Sequence, residues 1–473
     1  MTFPIITQTI CPICKKPLNG EYIQMGNFVY FVIDCPEHGK STVLASEDVE
    51  AFIRWTQFQS INVPPKVALT KGASKNSEYG TECPLHCGTC ENHLMTACCV
   101  LLDITERCNQ HCPWCFANAD ESPDSDPALE TIEHWYDTLV EIGEERPFNI
   151  QLSGGEPTVR DDLPEIIKMG REKGFEYIQL NTNGKRLGQD AEFTRTLANA
   201  GLTTVFLQFD GMNDEINEVM RGEPLLDIKM KAIENCKKVG LPVTLVPTVL
   251  KDVNLSDIGN LFKFMIDNVN VIKGIHFQPA SFFGRLPEKA LVEKEKQNES
   301  ERVTMFAVMN EIEKQTEGRI SKSDLVPIST GHPLCCFCSS FLLEKDGSIT
   351  SLLSNQQKEE GSSCCCGPEQ EPLEIIRKDR DFVLNKWTVE NDNCETEPNS
   401  DSCCCDKAAE EDIPSLDEAL AYIRSHMFTI TGMAFMDESN LDAERLKRCR
   451  VQVMTEDERL IPFCSYNSIY RGN

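Results

Sequence analysis

LLDITERCNQHCPWCFANA, residues 101–119, is the stretch from which the architecture of the chain can be inferred. An apolar run leads into a polar loop that carries cysteines in a C-x3-C-x2-C spacing, at Cys108, Cys112 and Cys115. Three thiolates this close can hold three irons of a [4Fe-4S] cube, and the fourth iron is then open to a small chelating molecule. Trp114 is placed to shield such a cluster or to stack on an adenine. The cysteines alone also fit a zinc knuckle or an ordinary electron-transfer cluster.

A strand/helix alternation extends from this stretch to about residue 279 and defines a predicted domain at residues 99–280. Six segments have the pattern of buried strands: residues 100–105, 148–153, 177–181, 204–209, 243–248 and 275–278. Helical patterns lie between them, for example at residues 129–143 and 162–173. Such βα units predict an α/β fold in which parallel strands with right-handed crossovers close into a partial or full (βα)6 barrel. Chemistry in these barrels takes place at the carboxyl ends of the strands.

Residues suited to ligand binding follow three of the predicted strands. These candidates are Gly154, Gly155, Glu156, Asn183, Gln208, Asp210 and Arg221. The adjacent glycines allow close approach of the backbone, and the carboxylate after them can accept from an ammonium group. The other polar side chains can hold carboxylates and hydroxyls. Ordinary turn formation by Gly, Asn and Asp is the alternative.

These features together resemble the radical S-adenosylmethionine (SAM) superfamily: a strand, a three-cysteine loop with an aromatic residue before its last cysteine, and a GGEP turn after the next strand. The resemblance implies that the open iron binds SAM and that one electron from the cluster cleaves it. A 5′-deoxyadenosyl radical then abstracts hydrogen from a substrate. It also implies that Gly154, Gly155 and Glu156 contact the amino group of SAM. A donor such as ferredoxin or flavodoxin would supply the electron.

Residues 1–60 form a small predicted metal module. Two knuckles at Pro/Gly turns match the ligand spacing of zinc ribbons and rubredoxin-like sites, with Cys11, Cys14, Cys35 and His38 as ligands. Zinc would stabilise a module whose apolar core is too small to fold it without a metal, whereas iron could relay electrons. Because His38 stands where a rubredoxin has cysteine, zinc and iron both stay open.

A second C-x3-C-x2-C motif lies in the linker at residues 61–98. Turns surround it and no strand precedes it, which favours an auxiliary [4Fe-4S] cluster over the radical site. The expected ligands are Cys83, Cys87, Cys90 and, as the fourth, Cys98 or its neighbour Cys99. Zinc is the alternative metal.

Cysteines of the C-terminal part can bind a further cluster. An extension at residues 281–354 carries a CCxC group, and a predicted cap at residues 413–473 carries two more cysteines. The possible second auxiliary set is Cys335, Cys338, Cys449 and Cys464. Buried free cysteines are the alternative. Residues 355–412 are acidic, poor in apolar residues and include two CCC runs, so we expect an exposed or disordered insertion there.

The order of the motifs narrows the resemblance. A CPxC…CPEHG head, a CPxxCGxC segment, the LLDIT strand with its loop and an IPFCSYN ending are together similar to archaeal tetraether lipid synthases and their uncharacterised relatives. This similarity implies auxiliary clusters, a rubredoxin-like site and C–C bond formation on lipid chains. A maturase acting on a protein, peptide or metallocofactor is the alternative. A non-catalytic iron–sulfur electron carrier or cluster-delivery protein is a further one.

Composition and charge exclude some partners. Among 473 residues, 46 basic and 75 acidic side chains give a formal charge of −29, which repels nucleic acid. No apolar run reaches the roughly 18 residues of a membrane span, and the amino terminus lacks the features of a signal peptide. We therefore expect a cytoplasmic protein whose 24 cysteines serve metal or redox chemistry. Oxygen-sensitive clusters indicate an anaerobic host.

Overall fold

The computed structural model describes residues 2–58, 60–65, 83–85, 87–88, 90, 92–120, 126–143, 148–295, 302–328, 330–353 and 416–471. The acidic insertion expected at residues 355–412, with its two CCC runs, lies outside them. The first described unit is a metal ribbon, an antiparallel sheet in the order β1-β2-β3-β4. Its elements are β1 (Ile5–Ile10), β2 (Pro17–Met25), β3 (Phe28–Cys35), β4 (Gly39–Ser46) and α1 (Val49–Thr56). The two predicted metal knuckles follow β1 and β3.

The barrel is built from parallel strands that alternate with helices. Its elements are β5 (Cys99–Thr105), α2 (Leu129–Ile142), β6 (Asn149–Gly154), α3 (Leu163–Glu172), β7 (Ile178–Thr182), α4 (Lys185–Gln189), α5 (Ala191–Asn199), β8 (Thr204–Gln208), α6 (Asp214–Arg221), α7 (Leu226–Lys238), β9 (Val243–Val246), β10 (Thr248–Val249), α8 (Ile258–Asp267) and β11 (Ile272–Pro279). In the sheet the strands lie in the order β5-β6-β7-β8-β9-β11, and each neighbouring pair is parallel. The predicted α/β barrel is confirmed.

The C-terminal part adds strands to both edges of this sheet. Its elements are α9 (Glu288–Glu295), α10 (Met305–Gln315), β12 (Val326–Pro327), β13 (Cys336–Leu343), β14 (Ile349–Ser351), α11 (Leu416–His426), β15 (Met427–Met433), α12 (Ala443–Lys447), β16 (Val451–Met454), β17 (Leu460–Pro462) and α13 (Phe463–Ser465). Strand β15 pairs in parallel with β11 and in antiparallel fashion with β13. At the other edge, β16 pairs in parallel with β5. The segment that the sequence assigns to a cap therefore also completes the sheet.

Side-chain and loop contacts join the two edges of the curved sheet. The guanidinium of Arg450, just before β16, donates to the hydroxyl of Thr330, which follows β12. The amides of Cys98 and Cys99 donate to the carbonyl oxygen of Arg450 at 2.9 and 3.2 Å. Ile61 also forms a single parallel bridge with Thr330. These contacts place the chain after β12 beside the chain before β16.

The apolar core fills the space between the sheet and its helices. Alternate strand residues, such as Leu152 on β6 and Leu180 on β7, belong to one buried cluster with Trp135 of α2 and Ile166 of α3. The residues between them face the lumen because side chains alternate along a strand. The helices pack against the sheet through these buried residues. Within the described ranges no helix is long and apolar enough to cross a bilayer.

Candidate active site and metal centres

The loop after β5 brings three cysteines to the mouth of the barrel. Cys108, Cys112 and Cys115 line a cavity of about 380 Å³ that extends into the lumen. Burial and the nearby Glu156 carboxylate raise the pKa of Cys108 to about 12, and burial raises the pKa of Cys112. Buried thiolates are unfavourable without a cation, and iron would supply that positive charge. The residues therefore fit the three-cysteine side of a [4Fe-4S] cluster.

The two glycines after β6 are required because the cluster loop crosses them. A Cβ atom on Gly154 would lie 2.1 Å from the carbonyl oxygen of Thr105, and one on Gly155 would lie 2.2 Å from that of Arg107. The amides of Gly155 and Glu156 donate to these same two oxygens, at 2.7 and 2.8 Å. The turn thus holds the start of the cluster loop. Its contact with SAM stays a prediction.

Glu156 is buried and joins the exits of β6 and β7. Its Oε1 accepts from the amide and hydroxyl of Thr158 and from the hydroxyl of Thr182, at 3.1, 2.6 and 2.6 Å. Its Oε2 accepts from the amide of Asn183 at 2.7 Å. Burial raises the pKa of Glu156 in spite of these donors. A further lone pair on Oε2 is the acceptor that the predicted bond to an ammonium would use.

Asn183 and Arg221 tie the next strand exits to the cluster loop. The side-chain Nδ2 of Asn183 donates to Asn109 Oδ1 at 2.8 Å. Arg221 forms a bidentate pair with Asp210 at 2.7 and 2.8 Å and donates to the carbonyl oxygen of Trp114 at 2.9 Å. Burial opposes ionisation of Asp210, but Arg221 lowers its pKa. The structure therefore pairs Arg221 with Asp210, and the predicted pairing with a ligand carboxylate would be additional.

A further clamp, which the sequence analysis does not predict, follows β11. Arg285 exchanges two backbone hydrogen bonds with Cys115, at 3.0 and 2.8 Å. Its side chain donates to the carbonyl oxygens of Cys112 and Ala119, at 3.3 and 2.6 Å. Gly284 has a φ of +70°, and a Cβ atom there would lie 2.3 Å from the carbonyl oxygen of Cys115. In the sequence, the Gly284-Arg285 pair soon after the last barrel strand is the feature that could have indicated this contact with the cluster loop.

Aromatic side chains surround the cavity mouth. Phe463 packs against Phe435, Phe116 and Phe283 at ring-centroid distances of 4.4, 5.7 and 6.3 Å. We call these four residues the aromatic collar. Trp114 is nearly buried and lines the cavity beside them. Phe435 and Phe463 bring the C-terminal segment to the mouth, beside the three-cysteine loop.

Hydrogen-bonding groups line the lumen beneath the cluster loop. They include Gln151, Asn181, Gln208, His276 and Thr431. Gln179 Nε2 donates to Asn181 Oδ1 at 2.6 Å, and His276 Nδ1 is hydrogen-bonded to the hydroxyl of Thr431 at 2.7 Å. The ring of Phe206, which also lines the cavity, lies 5.9 Å from the His276 ring. Amides around an aromatic face can bind a flat, heteroatom-rich ring.

The ribbon brings its four predicted ligands together. The sulfur atoms of Cys11, Cys14 and Cys35 and a ring nitrogen of His38 all lie within 4.8 Å of one another. His38 Nδ1 is 3.6 Å from the sulfur of Cys11 and 3.5 Å from that of Cys35. Burial opposes ionisation of Cys35, but hydrogen bonds from the Glu37 backbone and the His38 ring lower its pKa to about 6. Three thiols and one imidazole suit a tetrahedral zinc ion.

The first auxiliary group contains three of its four predicted cysteines. Burial and the neighbouring Cys83, with Cys90 nearby, raise the pKa of Cys87 to about 12. The assignment of the fourth ligand to Cys98 or Cys99 stays a prediction. Because β5 begins at Cys99, the preceding residue already runs along the sheet, and both cysteines line the barrel cavity.

The second auxiliary group also contains three of its predicted members. Burial and Cys335 raise the pKa of Cys449 to about 12, and burial and Cys449 raise the pKa of Cys464. Cys338 faces the barrel cavity together with Cys336. These two residues are two apart on β13, so strand alternation turns both to the lumen, whereas Cys335 precedes the strand.

Comparison with known proteins identifies the class. Residues 102–265 match the family model of the radical SAM superfamily, and residues 3–47 match that of the HMPTM N-terminal zinc ribbon domain. The fold and the three-cysteine loop thus define a radical SAM enzyme, which uses a [4Fe-4S] cluster and SAM. The 7,8-dihydro-6-hydroxymethylpterin dimethyltransferase of Methanocaldococcus jannaschii is 34% identical over 499 residues, covering 98% of this chain and 94% of that protein. The chain belongs to the radical SAM family that includes this dimethyltransferase.

Other similarities cover less of the chain. Mycofactocin maturase MftC of Mycolicibacterium smegmatis is 26% identical over 168 residues, which are 36% of this chain and 41% of that one. The crystal structure of Streptococcus suis SuiB bound to SAM has a TM-score of 0.35 and 18% identity, and covers 44% of this chain and 47% of that one. The expected similarity to tetraether lipid synthases stays a prediction, as does the maturase alternative.

Proposed function

We propose that the protein is a radical SAM methyltransferase for a bicyclic, pterin-like heterocycle. Similarity to a pterin dimethyltransferase along nearly the whole chain supports this substrate class. The hydrogen-bonding groups within the lumen carry the proposal, because these amide, imidazole and hydroxyl groups face the same cavity as the cluster loop. A pterin ring has donors and acceptors along its edges that such groups can pair. An alkyl chain in the same place would leave them unsatisfied.

Each part of the site then has a role. Cys108, Cys112 and Cys115 hold the cluster, which when bound supplies the electron that cleaves SAM. The glycine turn and Asn183 support SAM beside the loop. Gln151 and Asn181 orient the heterocycle, and the aromatic collar keeps water away from the radical. In the reaction the ring hydrogen would leave in 5′-deoxyadenosine, and a methyl group from a second SAM molecule would take its place, with S-adenosylhomocysteine as the by-product and a second electron from the reductant completing the step.

We propose that the two auxiliary groups bind [4Fe-4S] clusters that pass electrons toward the active site. The thiol of Cys87 lies close enough to Cys449 to raise its pKa, which indicates that the groups are neighbours. A radical SAM enzyme needs a one-electron donor, and ferredoxin or flavodoxin is the donor we propose.

Anaerobic reconstitution with SAM, a one-electron reductant and 7,8-dihydro-6-hydroxymethylpterin tests the substrate. We expect 5′-deoxyadenosine and a methylated pterin by mass spectrometry, and neither product from Cys108→Ala/Cys112→Ala/Cys115→Ala. Gln151→Leu should keep SAM cleavage and lose methylation. The exposed Gln57, changed to leucine, is the matched control and should leave methylation intact. SAM cleavage by the wild type without any methylated pterin would contradict the proposal.

Lipid C–C bond formation is the second candidate, and the aromatic collar favours it. Phe116, Phe283, Phe435 and Phe463 form an apolar rim through which an alkyl chain can enter. Supplying an archaeal-type ether lipid in place of the pterin tests this candidate, with a coupled lipid as the expected product. Phe116→Asp should then abolish lipid coupling, because it places a charge on the apolar rim.

A further inference from the structure

A buried lysine that the proposed mechanism does not use points at the active site. Lys229 of α7 is only 1% exposed. Its Nζ donates to the backbone carbonyl oxygen and to the side-chain Oε1 of Gln208, both at 2.7 Å. The ring of Phe209 lies 5.9 Å from the same ammonium group. Both acceptors belong to one residue, and that residue lines the cavity.

Gln208 is held from its other side by a carboxylate. Its Nε2 donates to Asp210. The same carboxylate accepts from the guanidinium of Arg221 at 2.7 and 2.8 Å and from the amide of Thr248 at 3.0 Å. Arg221 in turn donates to the carbonyl oxygen of Trp114 at 2.9 Å. A line of hydrogen bonds therefore runs from α7 through Gln208 to the cluster loop.

These two neighbours fix the orientation of the Gln208 amide. An ammonium group only donates, so it requires Oε1, and a carboxylate only accepts, so it requires Nε2. A flipped amide would face donor with donor and acceptor with acceptor, which is costly for buried groups. The second N–H of Nε2 and the second lone pair of Oε1 are thereby offered to the cavity in one fixed order.

We propose that Lys229 is a positioning residue that orients the Gln208 amide for SAM. With the amide fixed, Gln208 presents one donor and one acceptor side by side. A ribose hydroxyl, which both donates and accepts, can pair with such an edge. The inference concerns SAM and holds for either methyl-accepting or lipid substrates, so it goes beyond the proposed function.

The affinity of the reconstituted enzyme for SAM tests this role in a double-mutant cycle. Anaerobic equilibrium dialysis at about pH 6.5 gives the Kd of SAM for the wild type, Lys229→Met, Gln208→Ala and the double variant. We expect about a tenfold loss of affinity in each single variant, the size of one oriented hydrogen bond. Because Lys229 acts through Gln208, the double variant should bind SAM no more weakly than Gln208→Ala alone.

Lys273→Met is the matched control for removing a buried lysine. The ammonium of Lys273, on β11, donates to the carbonyl oxygens of Val269, Arg424 and Ser425 at 3.0, 3.1 and 2.8 Å. Lys273 is not among the described residues that line the cavity. Its substitution should change stability and leave the affinity for SAM unchanged.

Two results would overturn the proposal. One is unchanged affinity for SAM in a folded Lys229→Met variant, and the other is an equal loss from Lys229→Met in the wild-type and Gln208→Ala backgrounds. If Lys229→Met does not fold, Gln208→Glu provides the second measurement. A carboxylate at this position satisfies the ammonium, but it removes the N–H and faces the Asp210 carboxylate, so we expect weaker SAM binding. Wild-type affinity in Gln208→Glu would also contradict the role.

Discussion

Gly155 is a position where one added carbon reaches the backbone of the cluster loop. In Gly155→Ala the new Cβ lies 2.2 Å from the carbonyl oxygen of Arg107, which belongs to the backbone and cannot rotate away. We expect the loop to shift and the reconstituted protein to lose about four irons per chain, the content of one cube. Iron and sulfide analysis with electron paramagnetic resonance spectra measures this.

Gly174→Ala is the control for that substitution. Gly174 has a φ of +95°, but nothing lies within 4 Å of an added Cβ atom. Its replacement strains the backbone by about 1–2 kcal/mol without touching the loop, so iron content should be unchanged. A full complement of iron in Gly155→Ala would contradict the role given to this glycine.

The lowered pKa of Lys229 predicts the direction in which the stability of the folded protein changes with pH. Burial lowers the pKa of Lys229 from 10.5 to about 7. Between these values the unfolded chain binds the extra proton, so this group favours the folded state increasingly as the pH rises. We expect the wild type to gain stability relative to Lys229→Met between about pH 6.5 and 8.5. Urea unfolding midpoints of both proteins at the two pH values measure this, and a constant difference would contradict it.

At the scale of elements, one buried ion pair joins the chain before α10 to the segment after β15. Arg302 donates to Asp437 at 2.8 Å and lies 4.7 Å from the centre of the Phe282 ring. Burial opposes ionisation of Asp437, but Arg302 and the Phe282 amide lower its pKa to about 2. Arg302→Met would leave this carboxylate buried without a counter-charge. We expect the free energy of unfolding in urea to fall by about 3–5 kcal/mol.

An exposed ion pair provides the comparison for Arg302. Arg195 lies 3.8 Å from Glu192 on α5, and both side chains are more than half exposed. Arg195→Met should therefore cost less than about 1 kcal/mol. A loss in Arg302→Met no larger than that of Arg195→Met would show that the buried pair does not hold these elements together.

The six barrel strands can be predicted because each is a short apolar run bounded by turn residues. The ligand sets of the auxiliary groups are harder to predict, because the spacing of cysteines along the chain does not indicate which face of a strand each one occupies. The sequence analysis does not predict β13, and so it misses the alternation that turns Cys336 and Cys338 to the lumen. The role of Cys98 is hard to predict for a similar reason, since its position depends on where β5 begins.

Local sequence patterns cannot predict contacts between segments that are far apart along the chain. Apolar runs at residues 428–435 and 451–453 can pair with any sheet edge, and only the assembled fold puts β15 beside β11 and β16 beside β5. Lys229 is one of several lysines in α7, and its burial depends on how that helix meets the end of β8. The positioning of Gln208 therefore had no signal in the sequence.

At the scale of the whole molecule, the metal ribbon is fastened to the part of the chain that carries the second auxiliary group. Asp442 accepts from the hydroxyls of Thr7 and Tyr22 at 2.7 and 2.9 Å, and it also caps α12. From α12, the guanidinium of Arg445 donates to the sulfur of Cys335 at 3.4 Å. The ribbon therefore helps to hold that cysteine in place.

Removing the ribbon metal should lower the iron content of the second auxiliary group. Cys11→Ser/Cys14→Ser removes two of the four ribbon ligands. We expect loss of the ribbon metal and less iron in the second auxiliary group, while the radical cluster keeps its iron. Zinc and iron analysis with electron paramagnetic resonance spectra distinguishes the sites. Tyr22→Phe, which removes one hydrogen bond and no ligand, should keep the ribbon metal. Undiminished auxiliary iron in the double variant would contradict the coupling.

The pairing of β5 with β16 has a consequence for biosynthesis. On the ribosome the first barrel strand emerges long before residues 451–454, which cover its outer edge. Until then that edge offers unpaired backbone groups to any other extended chain. Cys87 and Cys449 likewise become neighbours only when the end of the chain arrives. The second auxiliary group can therefore assemble only after its C-terminal cysteines have been synthesised, and a prematurely terminated chain is prone to aggregate.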